Sequence, residues 1–142
     1  AQPRMLVEAS NAKVRAEASR LQQAAEEDML ELAFRVAGRI LNRRVEMEPE
    51  VVVGVVAGAL EHARERRSIV VRVHPDDVPL VERELEGLRL IVENSRLYIE
   101  GDEGVSRGGC VIETEAGRID AQLDVQIEAM RRAIVGDGHD GA

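Results

Sequence analysis

Tryptophan is missing, and Phe34 and Tyr98 are the only aromatic residues among 142. A chain this poor in rings has no stacking platform for single-stranded nucleic acid. Its core must come from Val, Leu, Ile, Ala and Met, which suits helix packing and a small sheet. Cys110 is the single cysteine. No internal disulfide can form, which fits a reducing compartment, and one cysteine cannot build a zinc site. Lysine also occurs once, at Lys13, so the positive charge is nearly all arginine, alternating with glutamate. At a net charge of −8 the chain lacks the clustered basic surface that phosphate binding needs. A basic protein segment is the better-matched partner, because complementary charge steers encounter. The longest apolar run, Val51 to Leu60, falls short of the roughly 20 residues that span a bilayer. No signal peptide is visible, and direct membrane insertion is not expected. The first residue is Ala1 rather than Met, as in a processed or shortened chain.

What is present begins with a long helix, from about Pro3 to Arg44. Val14, Ala18, Leu21, Ala25, Met29, Leu32, Val36 and Ile40 recur at spacings of 4, 3, 4, 4, 3, 4 and 4. Ala18, Met29 and Ile40 are each eleven apart, a period that favours a straight or right-handed supercoil. The first half of this stripe is thin and suits a two-helix contact. The second half adds Ala33, Phe34, Ala37 and Leu41, a width that suits packing on a domain. An exposed arm is therefore expected over 1–28, leaving the body near Glu27 and Asp28. Lone helices are marginal in water, so the arm calls for a partner helix.

The body is expected over 29–135. Pro49 fits the first position of a second helix running to about Arg66. Gly54 and Gly58 inside it make a GxxxG spacing, read as close packing against a neighbouring helix or strand. Ile69 to Val73 is β-branched and reads as a strand. His74-Pro75-Asp76-Asp77 opens a helix, expected to reach Glu93 in preference to a strand over Leu88 to Val92. A strand follows at Arg96 to Glu100, then a polar loop to Arg107. Arg107 to Asp120 reads as a hairpin feeding a helix. Gly108 and Gly109 permit special backbone angles, Glu115-Ala116-Gly117 forms the turn, and Asp120 suits an N-cap. Leu123, Ile127, Met130 and Ile134 then share one helical face. The polar tail 136–142 is expected to be disordered. The fold class is thus α+β, a helical arm before a small helix-plus-sheet domain.

Catalytic chemistry finds no constellation. His62, His74 and His139 are scattered, with no metal-ligand spacing. Cys110 alternates with Ile112 on a strand and reads as a buried structural thiol, not a nucleophile. The glycines at 101, 104, 108 and 109 precede no Lys-Ser or Lys-Thr, so they form no P-loop. Glu113, Glu115 and Asp120 are explained by a solvated hairpin and a helix cap. No enzyme activity, cofactor or metal is expected.

The run Gly108-Gly109-Cys110-Val111-Ile112-Glu113-Thr114-Glu115-Ala116-Gly117-Arg118-Ile119-Asp120-Ala121, followed by an amphipathic helix, resembles the C-terminal domain of the FliH/SctL (YscL-like) stator family of flagellar and type III secretion export systems. The upstream arm, the Pro-led helix and the Val-Arg-Val-His-Pro-Asp-Asp strand-to-helix junction agree with it. The resemblance covers about residues 10 to 135. It implies a homodimer joined through the arm, with Val14, Ala18, Leu21, Ala25, Met29 and Leu32 as seam. It further implies a C-terminal domain that grips the N-terminal segment of the export ATPase, with Gly109, Cys110, Ile112, Ile119, Asp120, Leu123, Ile127 and Met130 in the candidate contact region. The arm would link that ATPase to the cytoplasmic ring of the machine. Such a protein is cytoplasmic, peripherally associated with the membrane-embedded export apparatus, and restrains the ATPase until assembly. The family is also similar to the peripheral-stalk E-like subunits of vacuolar and archaeal-type ATPases, an alternative that implies a heterodimer. A small chaperone or adaptor using the same arm is a third reading. Two features depart from the flagellar pattern: no Trp-containing N-terminal docking motif is present, and the arm is Ala-rich instead of carrying GxxxG repeats. Both lean toward an injectisome version or a shortened chain.

Overall fold

The computed structural model describes the backbone of residues 2–140 and the side chains of 6–135. Helix α1 runs unbroken over Gln2–Met47, slightly beyond the expected limits at both ends. At 1.5 Å per residue its length is about 70 Å. Helix α2 (Val51–Glu61) begins two residues after Pro49, which lies in the preceding turn, and it ends before Arg66. Strand β1 (Ser68–Val73) follows. The segment expected as one helix is a short 3-10 turn (Pro75–Asp77), then α3 (Val78–Arg83) and α4 (Leu85–Ile91). Helix was the correct choice over strand here, but Glu84 departs from helical angles (φ −105°, ψ 15°) and its N–H closes a tighter turn on Val81. Strands β2 (Arg96–Gly101), β3 (Cys110–Thr114) and β4 (Gly117–Ala121) precede α5 (Leu123–Asp140). That last helix extends past Gly136, where the tail was expected to begin; residues 141 and 142 lie outside the described residues.

The four strands form one sheet in the order β2-β1-β3-β4. β1 and β2 are parallel, and the other neighbours are antiparallel. The register lines up Ile99, Val71, Ile112 and Ile119 in one row across the sheet. Alternation puts this row on a single face. Helix α2 covers it with Val52, Val56, Ala59 and Leu60, joined by Val81, Leu88 and Val92. Ile69, Val71, Val73, Cys110 and Ile112 are fully enclosed. Burying each large aliphatic side chain contributes about 1.5–3 kcal/mol, so aliphatic residues build this core without aromatic help.

Asp77 is the one buried charged side chain among the described residues. Arg107 Nε donates to its Oδ1 at 2.6 Å and the Gly108 N–H donates to its Oδ2 at 2.9 Å. This carboxylate ties the loop before β3 to the start of the α3 segment. Gly108 has φ +83°, and a β-carbon there would lie 2.6 Å from Val45 Cγ2 on α1. At Gly109 the added carbon would lie 2.8 Å from Gln122 Cα. The two glycines therefore let α1, β3 and the β4–α5 link meet closely.

Asp120 is not the N-cap of α5. The β3–β4 ladder pairs Val111 with Asp120 and Cys110 with Ala121, so strand geometry persists to Ala121 and the helix starts at Leu123. Asp120 Oδ1 instead accepts from the Gln122 N–H at 3.1 Å, a turn that redirects the chain.

Gly108→Ala is expected to cost about 2–4 kcal/mol in urea unfolding, combining left-handed strain with overpacking against Val45. The double variant with Val45→Ala should lose less than the two single losses added. Full additivity would show that the two residues do not share this contact.

Candidate docking surfaces

Helix α1 presents two different faces. Leu30, Phe34, Ala37 and Gly38 are half-buried and Val45 is buried; a β-carbon on Gly38 would lie 3.7 Å from Ile127 of α5. The stripe of Val14, Leu21, Met29, Leu32, Val36 and Ile40 is exposed along its whole length, at 48% to 70%. At about 100° per residue the two sets centre on nearly opposite sides of the helix. Ala18 and Ala25 are exposed on the same stripe. The widening of the apolar pattern after residue 29 is thus a second face for the body. Val36 and Ile40 remain with the exposed stripe, which also includes Val7 and Met47. An apolar strip this long is larger than single scattered surface residues would produce.

The candidate contact residues of the body divide by depth. Cys110 and Ile112 are fully buried and Gly109 is enclosed, so they support the surface from beneath. Burial, reinforced by Asp120, pushes the Cys110 thiol up to about 12, leaving it protonated and unreactive near neutrality. Ile119, Asp120, Leu123 and Ile127 are half-buried, while Met130 is exposed at 61%. The face shared by Leu123 and Ile127 is therefore only partly used within the chain. Among the described residues no group of three His, Cys, Asp or Glu could hold a metal, and no helix is long and apolar enough to cross a membrane.

A surface that the sequence did not reveal lies beside these residues. Gly54 and Gly58 do not pack closely on anything: both are exposed, and a β-carbon on either meets no atom within 4 Å. The GxxxG spacing was visible, but its direction depended on which face of α2 the sheet takes. Val52, Val56, Ala59 and Leu60 take that role and turn the glycines outward. Each glycine costs about 1 kcal/mol of helix propensity relative to Ala, with no compensating contact inside the chain. Between this face and edge strand β4 lies a hollow of about 460 Å³, lined by Gly54, Val55, Gly58, Ala59, His62, Ile119, Asp120, Ala121 and Gln126.

Electrostatic clamps stiffen the flanks. Glu115 in the hairpin turn accepts the Arg67 N–H at 2.7 Å and the Ser68 N–H at 3.2 Å. The first of these bonds is the main reason its carboxyl lies below the ordinary 4.5. On α5, Arg131 holds Glu128 low through a two-pronged pair at 2.9 and 3.0 Å. His74 caps the 3-10 turn by accepting the Asp76 N–H on Nδ1.

The family model described as flagellar assembly protein FliH matches residues 4–130, nearly the whole chain. The chain belongs to the FliH family. It is 34% identical over 110 residues to a protein named type 3 secretion system stator protein from Yersinia enterocolitica, covering 77% of this chain and 48% of that protein. It is 28% identical over 103 residues to flagellar assembly protein FliH of Borreliella burgdorferi, covering 70% of this chain and 33% of that protein. A probable flagellar assembly protein FliH from Bacillus subtilis matches at 27% over 108 residues, 75% of this chain and 51% of that protein. The chain spans about half or less of these relatives' length. The FliH resemblance read from the hairpin therefore holds, and so does the α+β architecture behind a long helix.

Because the Glu115 carboxyl is lowered in the folded chain, its contribution is present above about pH 4.5 and lost as pH falls through the lower folded value. Glu115→Gln should therefore lower Tm at neutral pH and converge on the parent in acid. A Tm difference that persists undiminished at pH 2 would contradict this role.

Proposed function

We propose that the chain is a stator and regulator of a type III export ATPase. In this reading it carries no enzymatic activity. The body binds the N-terminal segment of the ATPase and the arm links it to the cytoplasmic ring of the machine. The protein then works in the cytoplasm, peripherally associated with the membrane-embedded apparatus. The observation that carries the reading is the apolar stripe of α1, exposed on the side away from the body, in a chain of the FliH family. Residues 1–28 serve as the pairing arm and 29–135 as the docking domain. Identity of 34% to the Yersinia stators, against 27–28% to the flagellar relatives, favours an injectisome setting.

Pairing of two copies through Val14, Ala18, Leu21, Ala25, Met29 and Leu32 would remove the stripe from water. Leu21→Glu with Leu32→Glu should leave the monomer folded, since both side chains are exposed. It should weaken dimerisation by about 100-fold or more, because each buried Leu contributes about 1.5–3 kcal/mol. Sedimentation at micromolar concentration reads this directly. An unchanged dimer would move the seam elsewhere.

Docking is tested by co-purifying the chain with the export ATPase and with the ATPase lacking its N-terminal segment. The intact ATPase should be retained and the truncated one released. Equal retention would disprove the proposed contact.

A further inference from the structure

We infer that the free edge of β2 is a self-pairing site, where a second copy of the chain docks its own β2 antiparallel about a two-fold axis at Tyr98. The inference does not depend on the stator reading.

The ladder with β1 fixes which backbone groups are free. The Arg96 N–H donates to the Arg67 carbonyl and the Asp102 N–H to the Val73 carbonyl, both at 2.8 Å. In a parallel pair such residues alternate, so Arg96, Tyr98 and Glu100 bond to β1, and Leu97 and Ile99 turn their N–H and C=O groups outward. β2 ends the sheet order, so no strand lies beyond it. Among the described residues no hydrogen bond outside the ladder uses the backbone of Leu97 or Ile99. The edge opens on a hollow of about 380 Å³ beside Val92, Glu93, Leu97 and Tyr98. At the other margin, side chains already take the Gly117 and Ala121 carbonyls of β4.

The order of residues selects the occupant. Arg96-Leu97-Tyr98-Ile99-Glu100 is complementary to itself when reversed. Turned antiparallel about Tyr98, each Arg96 lies opposite the second copy's Glu100, and Leu97 pairs with Ile99. Leu97 and Ile99 then exchange their outward backbone bonds, and the two Tyr98 residues meet at a non-hydrogen-bonded position with Cα atoms about 4.5 Å apart. Arg96, Tyr98 and Glu100 are all exposed on the face away from the core, so these cross-strand pairs form without repacking. The next allowed register sets Tyr98 against Arg96 or Glu100 instead of against itself. A second copy supplies this charge order by symmetry; a foreign strand would have to reproduce it. Helix α5 packs on α1 and on β4, whereas β2 lies at the opposite margin of the sheet. Pairing through β2 therefore leaves the stripe of α1 free, and it joins arm-paired dimers into larger assemblies.

The test is disulfide trapping in the full chain, where the buried Cys110 is the only native thiol. Tyr98→Cys lies on the axis, within the Cα range that a disulfide bridges, so mild oxidation should link it into dimers on a non-reducing gel. Arg96→Cys is exposed too but faces the second copy's Glu100, so alone it should give about tenfold less dimer. Arg96→Cys with Glu100→Cys should link as Tyr98→Cys does. Equal yields from Tyr98→Cys and Arg96→Cys, or no link from any variant, would overturn the inference. Sedimentation of the full chain reads the charge order separately. Arg96→Glu should weaken the association about tenfold, and Arg96→Glu with Glu100→Arg should restore it. A double variant no tighter than the single one would overturn the register about Tyr98.

Discussion

The fold turns on a buried carboxylate. Asp77 sits where β1 hands over to α3, and its two oxygens hold Arg107 and the Gly108 N–H. That anchor joins the Asp102 N–H bond to Val73 and the Ser106 N–H bond to Gln122 in fixing the loop between β2 and β3. With it, Gly108 is set against Val45, so the end of α1 is placed by an interaction that α1 does not make. Leaving such a carboxylate unpaired costs several kcal/mol. The arginine and the backbone amide therefore have to arrive together, which couples the order of the loop to that of the core.

Much of this was legible from local chemistry. The β-branched run at Ile69 to Val73, the Pro75 start and the Gly117 turn are dictated by residues next to one another, and each folds as its neighbours require. Misreadings occurred where a distant partner decides. Asp120 has cap chemistry, yet the ladder to Val111 keeps it in a strand. Gly54 and Gly58 have packing chemistry, yet the sheet takes the other side of α2. Along α1, nothing in the spacing showed that Phe34 and Ile40 would face opposite surroundings. Asp77 read only as a favourable charge in a first turn, because its partner lies thirty residues away.

The surface of the chain carries more exposed apolar residues than its core chemistry needs. Its single thiol is protonated in the core, and His74 spends its Nδ1 on capping a turn. The apolar surface left over falls on α1 and beside β4, on separate elements.

Among the described residues the part-buried and buried positions of α1 run from Leu30 to Val45, about 22 Å, and the helix continues about 36 Å further to Leu6. The unequal arms make a lever. A tilt that moves Val45 by 1 Å about Leu30 swings the far end by about 1.6 Å. The missing β-carbon of Gly108 thus sets the bearing of a long rod.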